Sequence, residues 1–153
     1  MAIETFTTPE NRWLSNMWRL DNWVTTSLGI DVPTTEHGYV AEKFADPEVH
    51  RYITGLKRGI DAKEKGNELL QQGAELSEGF HERKIEIMTG FIRQKFGRNL
   101  DLAAKLIDTG NEELIEGNYW GDRFWGVDPI GSHDGANNLG LILMKVRAEL
   151  ITA

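Results

Sequence analysis

At 153 residues with 40 % apolar side chains, the chain suits one domain, residues 1–153, built around one core. A net charge of −7 argues against broad, phosphate-driven binding of nucleic acid. With no cysteine there is no disulfide, no thiolate nucleophile and no thiolate metal site. No apolar run approaches the length of a membrane-spanning helix, and "MAIETFTTPENRW" lacks a basic-then-apolar leader, so a soluble, cytoplasmic protein without a membrane partner is expected.

In chain order, "RWLSNMWRL" and "NWVTTSLGIDV" have the aromatic and β-branched content of short strands, with Gly29 and Asp31 marking a turn. "VPTTEHGYVAEKFADP" predicts a helix capped by Thr34 or Thr35 and ended by Pro47. Pro47 then opens a second helix, "PEVHRYITG", with Asp46 as its cap. "DAKEKGNELLQQG" is a third, with Asp61 as cap. Its basic residues, with Lys57 and Arg58 just before them, read as a solvated surface. "SEGFHERKIEIMTGFIRQKFG" is the clearest helix: Phe80, Lys84, Ile87, Met88, Phe91, Ile92 and Phe96 form its mostly apolar stripe, with Gly97 as stop. "NLDLAAKLIDTG" follows, capped by Asn99 and closed at Gly110. "EELIEGN" and "FWGVD" read as short strands around a turn, and "NNLGLILMKVRAEL" as a final helix. The expected class is α+β: helix-rich, with a small sheet joining the N-terminal region to the late strands.

Three groups of residues could carry chemistry. Glu36 and Lys43 are seven residues apart, nearly two helical turns, which places them on one face at roughly 10 Å, suited to the two ends of one small ligand. The same pattern also fits two ordinary surface charges. His37 reads as a packed, hydrogen-bonded histidine, and no second histidine stands at ligand spacing, so no metal is expected. Ser15 and Asn16 lie between Trp13 and Trp18, where an amide and a ring could read and stack a base; a turn with Asn at positive φ is the alternative. In "EGNYWGDRFWGVDPIGSHDGANNLG", Asn118, Trp120, Asp122 and Trp125 alternate with glycines, which permit close approach of a ligand. The loop runs directly into a helix whose first amides could seat a phosphate, with Asn137 or Asn138 as the competing cap.

The ordered set "LSN", "TEH" then "EKF", "KIEIM", "KF", "TG", "LIE", "WG" and "NNLG" followed by "LMKVRAEL" resembles the YbiA/NADAR family, from about Trp13 to Leu150. The resemblance implies a compact α+β domain that hydrolyses N-glycosidic bonds of ribosides. Two substrate groups follow from it: ADP-ribose attached to guanine in nucleic acid, and phosphorylated ribosyl-pyrimidine intermediates of riboflavin synthesis. A non-catalytic module binding ADP-ribose or an NAD derivative is a third reading. No cofactor is expected. Glu36 falls on the family's catalytic glutamate and Lys43 on its lysine. Lys84 matches a basic position; Asp122, Trp125 and Gly126 match an Asp and a Trp-Gly pair, and Asn137 the Asn of "N-x-L-G". Phe80 stands where the family often has Trp, and Gly66-Asn67 where it often has Gly-Arg. The missing arginine speaks against the riboflavin-type substrate. For a riboside, Glu36 would stabilise charge at C1 or activate water. Asp122 would be a second carboxylate or a ribose ligand, and Lys43 a phosphate ligand or a Schiff-base nucleophile. The loop would then hold one end of a nucleotide, with Trp120 and Trp125 stacking and the final helix's start taking the pyrophosphate.

Overall fold

Residues 1–153 are described by a computed structural model. The elements are β1 (Ala2–Ile3), a 3-10 turn (Arg12–Leu14), β2 (Val24–Thr25), β3 (Asp31–Val32), α1 (Thr35–Ala41), α2 (Pro47–Thr54), α3 (Gly59–Gln71), α4 (Phe80–Arg98), α5 (Leu100–Asp108), β4 (Glu113–Leu114) and α6 (Asn138–Thr152). The class is α+β, as the sequence indicates, and no helix is long and apolar enough to cross a membrane. Contacts divide the chain into two units, Asn16–Asn99 and Met1–Ser15 with Leu100–Ala153.

In the unit Asn16–Asn99, α1 packs against α2, α3, α4 and the antiparallel β2–β3 hairpin. The helix starts where Thr34 Oγ1 accepts the His37 amide at 3.1 Å, a cap worth about 1 kcal/mol. The same hydroxyl lies 2.7 Å from His37 Nδ1, and His37 Nε2 donates to the Leu56 carbonyl at 2.8 Å. His37 is thus the buried, hydrogen-bonded histidine the sequence suggests, and burial holds its pKa below the usual value. A β-carbon on Gly38 would stand 2.6 Å from the Phe91 ring, so only glycine lets α1 lie this close to α4. Asp46 caps α2 through the Glu48 amide at 2.9 Å. α3 begins two residues earlier than its sequence signal, because Asp61 reaches back to the Arg58 amide at 3.1 Å from inside the first turn.

Three expectations fail here. The first helix stops at Ala41 rather than continuing to Asp46. Beyond it, the Lys43 amide closes a tight turn on the Val40 carbonyl at 3.1 Å, and Phe44 bridges Leu76. The Ser77 amide takes the Lys43 carbonyl at 2.7 Å, a partner distant in sequence that wins over helical continuation. On α4 the buried side holds Phe80, Met88, Phe91, Ile92 and Phe96, but also Lys95, which is 1 % exposed. Lys84 and Ile87, expected in that stripe, are only half-buried. Asn99 ties the end of α4 to Asn22 through paired 2.9 Å bonds rather than serving as a simple cap.

In the other unit, β1 runs parallel to β4, pairing Ile3 with Leu114. α6 lies on α5 and β4 through Leu139, Ile142, Leu143 and Val146. The buried Arg147 is satisfied by Thr109 Oγ1 at 2.9 Å and the Glu112 carbonyl at 2.8 Å. "RWL" forms the 3-10 turn instead of a strand, and "FWGVD" contributes only the single bridge of Val127 to Gly117. The expected link between the N-terminus and the late strands is therefore the two-residue β1–β4 pair.

Candidate functional site

Glu36 is the second residue of α1, and its backbone amide donates to the Asn16 carbonyl at 3.0 Å. That bond fixes Asn16 beside the half-buried carboxylate-bearing residue. The Asn16 side chain is 8 % exposed. Its Nδ2 meets only the Met88 thioether, at 3.5 Å, and its Oδ1 is buried with no hydrogen-bond partner. A thioether is a weak acceptor, so this amide is poorly satisfied for so buried a group. The backbone of Asn16 is not left-handed, so the positive-φ turn reading does not hold.

One turn along α1 from Glu36 is Tyr39, whose ring lies 5.6 Å from that of Phe80. Lys43 Nζ stands 5.3 Å above the same Tyr39 ring, a cation–π position. Since α1 has ended, Lys43 is carried by the turn that follows it and not by the helix on which the sequence placed both residues, and it lies over the ring of Tyr39. Phe80 and Lys84, four residues apart on α4, do share a face. The unit therefore gathers two groups along α1: Glu36 with Asn16 and Met88, and Lys43 with Tyr39 and Phe80. The sequence marks Met88 only as core and Thr35 only as a possible cap, and does not single out Tyr39; Thr35 is buried and its Oγ1 also lacks a partner. Tyr39 could have been found from its spacing, three residues after Glu36 and four before Lys43. No cluster of three or more His, Cys, Asp or Glu side chains is placed to hold a metal.

In the other unit, Ser15 closes the 3-10 turn through its amide to the Arg12 carbonyl at 2.9 Å. Trp13 is buried and donates to Glu10 at 3.1 Å, so it belongs to a core and not to a ligand wall. The glycine-rich loop is tied by its own polar residues. Asn118, fully buried, donates to the carbonyls of Asp122 (2.9 Å) and Val127 (3.0 Å) and accepts from the amides of Trp120 (3.2 Å) and Asp122 (3.1 Å). Asp122 Oδ1 accepts the Phe124 and Trp125 amides at 3.1 and 2.8 Å. Asn137 accepts the Glu116 amide at 2.9 Å and donates to the Leu114 carbonyl at 3.0 Å. Asn118 and Asn137 thus spend their side chains on backbone, which leaves them to shape the loop rather than touch a ligand. Gly126 likewise serves internal packing: a β-carbon there would stand 1.9 Å from the Glu116 carbonyl oxygen.

The proposed phosphate seat at the start of α6 is not available. The amides of Ala136, Asn137, Asn138 and Leu139 donate to the carbonyls of Arg123, Gly126, Phe124 and Trp125 at 2.9 to 3.2 Å. A phosphate needs unspent donors, and these are already paired. What the loop does offer is aromatic surface: Tyr119 is 71 % and Trp120 54 % exposed, and the half-buried Trp125 is braced edge-on by Phe124 at 4.8 Å.

The unit Asn16–Asn99 thus carries a half-buried carboxylate residue, an under-satisfied amide and an ammonium over an aromatic ring. The NADAR domain family profile matches residues 5–151. The N-glycosidase YbiA of Escherichia coli is 30 % identical over 118 residues, covering 77 % of this chain and 70 % of that protein. A riboflavin biosynthesis protein of Vibrio vulnificus is 35 % identical over 125 residues, which cover 82 % of this chain and 32 % of the relative, so the chain matches about a third of that protein's length. The solved NMR structure of Escherichia coli YbiA superposes with a TM-score of 0.79 at 26 % identity, over 99 % of this chain and 84 % of that one. This chain belongs to the NADAR domain family, and relatives in it carry the name N-glycosidase.

Proposed function

We propose that the protein is an N-glycosidase that removes ADP-ribose from guanine bases in nucleic acid, in the cytoplasm. The observation that carries the catalytic part is the setting of Glu36: a half-buried carboxylate residue whose backbone amide is hydrogen-bonded to the Asn16 carbonyl. In the reaction the C1–N bond breaks, a water oxygen bonds to C1, and the departing base nitrogen takes the proton that water loses. Positive charge gathers at C1 on the way, and Glu36 stabilises it and accepts the water proton. In the covalent variant of this route the neutral Lys43 amine, backed by the wall of Tyr39 and Phe80, takes the water's place: it bonds to C1 as the C1–N bond breaks and the base takes its proton, the lysine glycoside ring-opens to an imine, and water then hydrolyses that imine, freeing ADP-ribose and restoring the amine. Asp122, with one oxygen occupied by two loop amides, positions Trp125.

The guanine-linked substrate is favoured by Asn67, exposed on α3, which stands where an arginine would meet a riboflavin-type phosphate. The name of the Vibrio relative favours the second reading, hydrolysis of phosphorylated ribosyl-pyrimidines. Parallel incubation with an oligonucleotide carrying ADP-ribosyl-guanine and with a phosphorylated ribosylamino-pyrimidine separates the two. Release of ADP-ribose and unmodified oligonucleotide, seen by mass spectrometry, is the expected result. Release from the pyrimidine alone would replace this reading with the second.

A further inference from the structure

We infer that Asn16 is a specificity-determining residue that binds the hydroxyl on C2 of the ribose being cleaved, so that the site requires a riboside and discriminates against the 2-deoxy analogue. The inference rests on the N-glycosidase reading. It starts from an imbalance in the protein itself. Asn16 is more than nine-tenths buried, yet its oxygen has no partner and its nitrogen meets only a thioether at 3.5 Å. Buried amides in folded proteins are normally paired, and one that is not marks a place where a partner is to be supplied. The neighbourhood says what that partner is. Asn16 is fixed to Glu36 through the 3.0 Å bond from the Glu36 amide, and Glu36 is the group assigned to C1. The polar group of a ribose one bond from C1 is the hydroxyl on C2, which both donates and accepts.

The geometry also allows the bond to form. The torsion that turns an asparagine amide is broad, and the thioether contact is a weak restraint, so the amide reorients toward a bound hydroxyl at small cost. A bond made there strengthens as C1 becomes positive, because the hydroxyl proton grows more acidic. The 2-deoxy substrate would leave the amide buried and unpaired. Sites built to bind a hydroxyl reject analogues lacking it by roughly 100-fold or more.

The test uses the full chain and two oligonucleotides, one bearing ADP-ribosyl-guanine and one identical except that the C2 hydroxyl of the linked ribose is absent. Deoxyribosyl bonds are intrinsically more labile, so a preference for the hydroxyl runs against the uncatalysed trend. The wild type is expected to favour the hydroxyl-bearing substrate in kcat/KM by at least about 100-fold. Asn16→Ala is expected to lose that preference by slowing the hydroxyl-bearing substrate while leaving the deoxy one within about threefold, and Asn16→Asp, which keeps an acceptor oxygen, to restore part of it. Cleavage of both substrates at similar rates by the wild type would overturn the inference and leave the N-glycosidase reading intact. Cleavage of neither would overturn that reading, and the inference with it. Because the first comparison needs only the wild type, a variant that fails to fold does not shelter the idea.

Discussion

Replacing Lys95 with methionine tests the packing of α4. The side chain is 1 % exposed, and burial alone pushes its pKa down to about 7, since a charged ammonium in an apolar interior is disfavoured. In the unfolded chain an ordinary lysine titrates near 10.4. Between those two values the unfolded state binds more protons than the folded state, so stability must rise with pH across that window. Below pH 7 the cost of burying the lysine is at its full size. At about 1.4 kcal/mol per pH unit, the rise from pH 7 to 10.5 amounts to about 4 kcal/mol. Lys95→Met keeps a long, flexible chain of similar volume and removes the titration. Urea unfolding of both proteins at several pH values between 6 and 10.5 isolates the effect, because every other titrating group cancels in the difference. The variant should be more stable near neutrality, with its advantage shrinking steadily as pH rises. A difference that is flat with pH would refute a Lys95 whose titration is lowered by burial.

Two further outcomes follow from the site. Gly126→Ala places a carbon 1.9 Å from the Glu116 carbonyl and should lower stability by roughly 2–4 kcal/mol, read from the thermal midpoint; an unchanged midpoint would mean the loop is not packed as described. Lys43→Arg keeps the positive charge but loses the amine, so turnover should fall by more than tenfold, and borohydride should trap a sugar adduct on the wild type alone. Full activity in the variant without an adduct would reduce Lys43 to a point charge.

Local signals in the sequence were sufficient where the partner lay within a turn. Thr34 and Asp46 were legible as caps because a short oxygen-bearing side chain before a helical run has one favourable use. The end of α1 was not, because the groups that draw Lys43 and Phe44 out of the helix lie at Leu76 and Ser77, more than thirty residues on. Lys95 occupies an apolar register set by Met88 and Ile92, so its position was readable but its residue type argued the other way. The glycine-rich loop shows the same limit from another side. Its aromatic excess and its glycines were plain, yet an asparagine in a sequence does not reveal whether its partner is a ligand or the chain's own backbone. Asn118 and Asn137 turned out to bind backbone, while Asn16, in a far less conspicuous setting, is the amide left under-satisfied.

The role of Glu36 as the catalytic carboxylate is tested by the release of ADP-ribose by Glu36→Gln. The substitution keeps the side chain's shape and leaves the amide bond to Asn16 in place, so the thermal midpoint should hold within a few degrees. On ADP-ribosyl-guanine oligonucleotide, the wild type should release the sugar and the variant should be slower by at least about 100-fold, the usual scale of a lost acid–base group. Equal rates in the two proteins would contradict it.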